Sequence, residues 1–353
     1  MQIPLKNKRF PLRLATKART TLPLLFFVVM PLALTGCPGG TPSNSNTGSQ
    51  GQSPTPNATQ SPQAAQSNVA FDGERAFEHV RKQVDMGPRP AGSAELARAR
   101  DYMIAELKSY GLNATTDEFT ATTPAGKKKM VNVMAEVAGE SSDVILLASH
   151  YDTKPIKEFR FVGANDGGSS TGALLEIARV LAANHQQQKP RFTYRFVFFD
   201  GEEAFCFDWD ECHNPDGPDN TYGCRHYVAE LKNRNELQLV RAVILLDMIG
   251  YKDLRLGRDV EMSTPWLIDI IWRTAREMGH GEQFVEGVEG VGGDDHEPFL
   301  KAGVHAVDII QLNTYPYWHT EEDTLDKISP QSLKTVGDVV LASLPRIEQH
   351  IQK

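Results

Sequence analysis

Four short stretches of the chain, 144–148, 195–199, 242–246 and 306–310, are apolar at nearly every position. A strand with one wet face would alternate. Unbroken apolar runs of this length predict strands covered on both sides, as in a parallel sheet. Between and after them lie segments with the spacing of helices, 171–183, 222–231, 266–278 and 330–350. Two further helices are predicted at 74–84 and 94–110. Gly87-Pro88-Arg89-Pro90-Ala91-Gly92-Ser93 separates them, with Ser93 placed to cap the second. Segments 115–122 and 131–137 alternate and predict a hairpin with one wet face. Strands alternating with helices predict an α/β fold, a single domain whose central, mostly parallel mixed sheet is flanked by helices.

The polar clusters sit at the ends of this pattern. His150-Tyr151-Asp152 follows the first core strand, and Asp200-Gly201-Glu202-Glu203 the second. Asp247 follows the third, and Trp318-His319-Thr320 lies a few residues beyond the fourth. In open α/β sheets the crevice beyond the carboxyl ends of the strands is where ligands bind. Two adjacent carboxylates at the end of a buried strand repel each other and lose hydration. A chain tolerates that when a cation lies between them or when one of them handles protons. Asp, Glu and His together suit a divalent metal, zinc above all. Gly163-Ala164-Asn165-Asp166-Gly167-Gly168 adds another carboxylate, Asp166, which could instead merely cap the next helix. His150 is open between ligand and hydrogen-bonded bystander, and Trp318 between pocket wall and core. His213, His226, His280 and His305 have no supporting pattern and read as surface or structural residues.

Composition changes the picture mainly at the N-terminal end. Residues 1–36 carry six Lys/Arg and no acid, then a mostly apolar run from 24 to 34, then Leu34-Thr35-Gly36-Cys37. The run is too short for a membrane span and reads as a secretion signal. Its end resembles a bacterial lipoprotein box, which implies cleavage before Cys37 and lipidation of its thiol. The mature protein is then expected to be exported and tethered to a bacterial membrane, on the periplasmic or cell-surface side. Residues 37–70 are Ser, Thr, Gln, Asn, Pro and Gly with scarcely an apolar side chain, a composition that cannot offset its ordering entropy. The expected organisation is a signal at 1–36, a lipidated spacer at 37–70 and a catalytic domain at 71–353. Removing the leader's six cations takes the formal net charge from −8 to −14, which argues against nucleic acid as a partner. Cys206, Cys212 and Cys224 allow one disulfide in an oxidising compartment. Cys212 with Cys224 is the first expectation, stapling the polar loop between them, and Cys206 stays open as a partner.

From about Asp72 onward the chain resembles the zinc aminopeptidases and, within that clan, the animal-type glutaminyl cyclases. The resemblance rests on Gly87-Pro88-Arg89, His150-Tyr151-Asp152, Gly163-Ala164-Asn165-Asp166 and the run Phe198-Phe199-Asp200-Gly201-Glu202-Glu203-Ala204-Phe205. It continues in Tyr222-Gly223-Cys224-Arg225-His226, Leu245-Leu246-Asp247-Met248-Ile249-Gly250, Asp294-Asp295-His296-Glu297-Pro298-Phe299 and Trp318-His319-Thr320. It implies one zinc ion held by Asp166, Glu203 and His319, with Glu202 as general acid/base. Asp247 and Asp294 would form a carboxylate pair near the substrate, and Trp318 a pocket wall. His150 and Asp247 match positions that bind a second metal in two-zinc aminopeptidases, and Asp152 would orient His150 or the metal site. Trp318 before the final His and Asp294 before Asp295-His296 favour the cyclase form. The implied substrate is a peptide or protein N-terminus: an N-terminal glutaminyl residue for a cyclase, any of several residues for a two-zinc peptidase. The loop after Phe205 is longer than in the animal enzymes, and Trp209 takes the place of their pocket Trp only with an offset in register.

Overall fold

The computed structural model describes residues 68–353 except Gln187, Asp210, His213, Pro215, Asp216 and Lys353. The signal segment, Cys37 and nearly all of the spacer lie outside the described residues. Helices α1 (Gly73–Met86) and α2 (Ala94–Ser109) precede a hairpin of β1 (Thr115–Thr123) and β2 (Gly126–Val137). Then come β3 (Val144–His150), α3 (Gly168–Asn184), β4 (Thr193–Phe199), α4 (Tyr222–Asn233) and β5 (Val240–Asp247). The chain continues through β6 (Leu256–Arg258), α5 (Pro265–Glu277), β7 (Phe284–Val288), α6 (Glu297–Lys301), β8 (Ala306–Ile310) and α7 (Pro330–Ile351). Local chemistry sets several helix starts. Asp72 accepts the N–H groups of Glu74 and Arg75, Ser93 that of Leu96, and Ser329 that of Gln331.

The main sheet has the order β1-β2-β4-β3-β5-β8. β4, β3, β5 and β8 run parallel, and the β1–β2 hairpin joins antiparallel through β2. Alternation along the strands builds two cores from single sequences. Ile145, Leu147, Phe196, Phe198, Ile244 and Leu246 face one core, shared with α1, α3, α5 and α7. Val144, Leu146, Val197, Phe199, Val243 and Leu245 face the other, shared with α4 and α6. That two-sided burial is why these strands lack alternation in sequence.

The connection from β4 to β5 crosses β3, so the strand order reverses there and a crevice opens at the carboxyl ends of β3 and β5. A separate parallel pair, β6 with β7, was not expected from the sequence. β6 spans only three residues and β7 is mostly exposed, so neither carries a readable period. Among the described residues no helix is long and apolar enough to cross a membrane.

The disulfide expectation is corrected. Cys206 pairs with Cys212, their Cα atoms 6.1 Å apart. Cys224 lies fully buried in α4, and its Sγ donates to the Asp295 carbonyl at 2.8 Å. Facing inward from a helix, it cannot reach the surface loop that carries Cys212.

Candidate functional site

His150 is the last residue of β3 and Asp247 the last of β5, so the sheet itself places both side chains at the crevice. The double glutamate leaves β4 through Gly201, at φ 73°. A Cβ there would meet the Met130 side chain at 2.6 Å, so the tight turn requires glycine. Asp152 anchors the two glutamates after it. Its two oxygens accept the backbone N–H groups of Glu202 (3.1 Å) and Glu203 (3.3 Å). The backbone is held from below, and the two carboxylates are free to point at different partners.

Asp166 arrives on the loop before α3. The alternative of a helix cap is not seen, because the N-cap is Gly167 and no side chain caps the helix. A Cβ on Gly167 would lie 2.8 Å from the Asp152 carbonyl oxygen and 2.9 Å from the His150 ring. The loop is held by Asp323, whose carboxylate accepts the N–H groups of Asn165 (2.8 Å) and Asp166 (3.1 Å). Tyr315 donates its hydroxyl to the same carboxylate at 2.7 Å. Arg89, fully buried beneath, donates to the carbonyls of Gln83, Gly87, Val162 and Gly163. His319 comes from the loop after β8 at φ 52°, a left-handed conformation uncommon outside glycine.

These segments converge. His319 Nε2 lies 3.3 Å from Asp166 Oδ2 and 3.2 Å from Glu203 Oε1. Asp166 Oδ2 is buried without a hydrogen-bond partner. Tetrahedral zinc with bonds near 2.0–2.2 Å spaces its ligand atoms about 3.3 Å apart, so the three donors fit such an ion. A second set has the same spacing: His150 Nε2 lies 3.3 Å from Asp166 Oδ1 and 3.2 Å from Asp247 Oδ1. Asp166 therefore offers one oxygen to each set. In each triad the donor atoms lie within 4.8 Å of one another.

The charges respond accordingly. Burial opposes protonation of His319, but Glu203 and Asp166 prevail and push its pKa up to about 9. His150 is likewise held well above its ordinary value, with burial outweighed by Asp247, Asp152 and Asp166. Asp166 is held low, its burial outweighed by the two imidazoles 3.3 Å from its oxygens. A cation between these donors would take over the role of the imidazole protons.

Glu202 differs. Burial pushes its carboxyl well above the usual range, with Glu203, Asp294 and Asp295 adding to that and His150 opposing. Its Oε2 lies 3.8 Å from His150 Nδ1, whereas the carboxylate beside His319 is that of Glu203. Asp294 is pushed up to about 7 by burial and by the charge of Asp247, and both line the cavity.

Glu202, Glu203, Asp166, Asp247, Asp294, Trp209, Trp318 and His319 all line one cavity of about 420 Å³. His150 and Asp152 sit beneath it. Trp318 stacks on His319 with ring centroids 4.2 Å apart. The Trp209 ring crosses from the offset loop to lie against Gly293. Sequence reasoning missed Asp323 and Lys154, whose Nζ lies 3.8 Å from Glu203 Oε2. It missed Asp259 and Asp308 too, which lie fully buried around His296 behind Asp294. No sequence period marks them, because each acts across the fold. His226 stacks on Phe119 and His305 meets Trp266 edge-on, both away from the cavity.

The profile of peptidase family M28 matches residues 132–344. The chain is 38% identical to a glutaminyl cyclase of an Acidobacteriales bacterium, covering 83% of this chain and 100% of that one, with a TM-score of 0.73. A zinc-dependent exopeptidase of Parabacteroides distasonis is 28% identical, covering 78% and 98%, with a TM-score of 0.69. The glutaminyl-peptide cyclotransferase of Drosophila melanogaster is 26% identical over 71% of this chain and 75% of its own. The match spans the strand ends that bring Asp166, Glu202, Glu203, Asp247, Asp294 and His319 to one cavity, and the chain belongs to peptidase family M28.

Proposed function

We propose that this chain is a zinc-dependent glutaminyl-peptide cyclotransferase, which converts an N-terminal glutaminyl residue of a peptide to pyroglutamate with release of ammonia. The observation that carries the reading is the 38% identity to a bacterial glutaminyl cyclase over that enzyme's whole length. Asp166, Glu203 and His319 would hold one zinc ion, whose chemistry is to polarise the side-chain amide carbonyl. The remaining work falls to the chain's own residues. The substrate α-amine attacks its own side-chain amide carbon, forming the ring C–N bond, and the bond to the amide nitrogen breaks. Glu202 takes a proton from the attacking nitrogen and returns one to the leaving nitrogen, so that ammonia departs neutral. A carboxyl raised by burial suits such two-way transfer. Asp247 and Asp294 accept hydrogen bonds from the amine or amide N–H groups and position them. Trp318 and Trp209 form the wall that keeps out water, the competing nucleophile.

The test is mass spectrometry of two peptides. One with N-terminal Gln is expected to become lighter by the mass of ammonia, and one with N-terminal Leu to stay intact. Trp318→Ala is expected to slow cyclisation about a hundredfold by loosening the attack geometry. Release of free Gln or Leu without a pyroglutamyl product would overturn the reading.

A second reading, a two-zinc aminopeptidase, is favoured by one observation. Asp166 presents its oxygens to two donor triads of equal spacing, the second completed by His150 and Asp247. Zinc analysis of the purified protein separates the readings, one ion per chain for the cyclase and two for the peptidase.

The sequence pattern further supports a lipoprotein signal at 1–36, a lipidated Cys37 with a spacer to residue 70, and a catalytic domain over 71–353. Cys37→Ala is expected to free the protein from the membrane fraction with unchanged kcat and KM. Continued membrane association of that variant would sink the anchor assignment.

A further inference from the structure

Beyond Glu203 the chain leaves the sheet. Ala204 is buried, and Phe205 packs edge-on against Tyr222 with ring centroids 6.2 Å apart. The Cys206–Cys212 disulfide then closes a short loop. Within it the Glu211 carboxylate accepts the backbone N–H of Phe207 at 2.7 Å, and Asp219 accepts that of Cys206 at 2.9 Å. The backbone N–H groups of Cys206 and Phe207 are tied down, yet Phe207 is 79% exposed, the most of any large apolar residue among the described residues. A large apolar group held out into water by a fixed backbone leaves burial free energy unused until something covers it.

Phe207 lines the same cavity as the reacting carboxylates. Exposure orders that cavity by depth: Glu203 at 2% and Glu202 at 7% form the floor, Trp318 at 45% the wall, and Phe207 the rim. With the N-terminal glutaminyl residue at the floor, the second residue of the peptide leaves past the rim. We infer that Phe207 is a specificity-determining platform for the side chain of the substrate's second residue, favouring large apolar and aromatic side chains there. Asp208, exposed beside it, places an acidic second residue at a disadvantage. The inference rests on the cyclase reading above.

The experiment measures kcat/KM for a peptide series Gln-X, with X as Gly, Leu, Phe and Glu and the remainder constant. The enzymes are the full chain, Phe207→Ala and Phe207→Leu. The parent enzyme is expected to prefer Phe over Gly about tenfold, the scale of an added apolar contact, with Glu lowest. In Phe207→Ala the Phe/Gly ratio falls toward one, chiefly through KM, and in Phe207→Leu part of it remains. Normal cyclisation with no second-residue preference overturns the platform while leaving the cyclase reading in place. So does an equal loss on every peptide in Phe207→Ala, which marks a purely structural role. So does a Phe207→Ala defect confined to binding of phosphatidylglycerol vesicles, which marks a membrane contact. Failure of the parent enzyme to cyclise any Gln peptide overturns the cyclase reading itself, and the platform with it.

Discussion

Glu202→Gln is expected to lower kcat for cyclisation by about 10²–10⁴-fold, the usual range for a positioned proton-transfer group, while zinc stays bound. The replacement keeps the shape of the side chain. It also keeps the backbone N–H that Asp152 accepts, so the turn after Gly201 is undisturbed. What it removes is a group able to take and return a proton. Glu203 is the carboxylate 3.2 Å from His319, whereas Glu202 lines the cavity with its Oε2 3.8 Å from His150 Nδ1. Metal analysis and initial rates on purified protein check this. A zinc-free Glu202→Gln variant beside a zinc-loaded Glu203→Gln variant would show the two roles to be exchanged.

His319→Ala is expected to lose zinc and turnover together. Partners that only orient a metal ligand cost up to about a hundredfold in affinity when removed, and loss of a ligand itself should exceed that. His319 supplies the only nitrogen donor of its triad, and Asp166 and Glu203 alone would leave an ion half coordinated. The fold should survive, because the side chain stands in a surface loop at the cavity and not in either core. Zinc content after dialysis, with circular dichroism as control, decides it. A dialysed His319→Ala protein with full zinc and native spectrum would remove His319 from the ligand set.

Much of this was legible before any coordinates. The four core strands announce themselves because both faces are buried, and the carboxylates stand out because they end such strands. The rest was hidden for physical reasons. Of Glu321, Glu322 and Asp323, only the last is buried, and nothing in three consecutive acids says which one turns inward. Asp152 read as orienting His150 or the metal site; its Oδ1 does lie 3.6 Å from His150 Nδ1, but spacing alone could not show that its hydrogen bonds go to two backbone N–H groups some fifty residues away. The disulfide was misassigned because the sequence shows spacing but not direction. Cys224 lies in the first turn of α4 and faces the core, while Cys206 and Cys212 share the loop. β6, β7 and α6 are too short or too exposed for a period to register.

Asp323 ties the two ends of the cavity in chain order as well as in space. Its carboxylate bridges to Asn165 and Asp166 across 158 and 157 residues, and it lies four positions after His319. During synthesis, β3, β4 and their polar ends exist long before this clamp does. Contacts of such long range must first offset the entropy of closing the intervening chain. A nascent or truncated chain therefore carries Asp166 and Glu203 without the means to hold them at His319. A cation site built on Asp166, Glu203 and His319 would therefore be complete only in a chain that extends through Asp323.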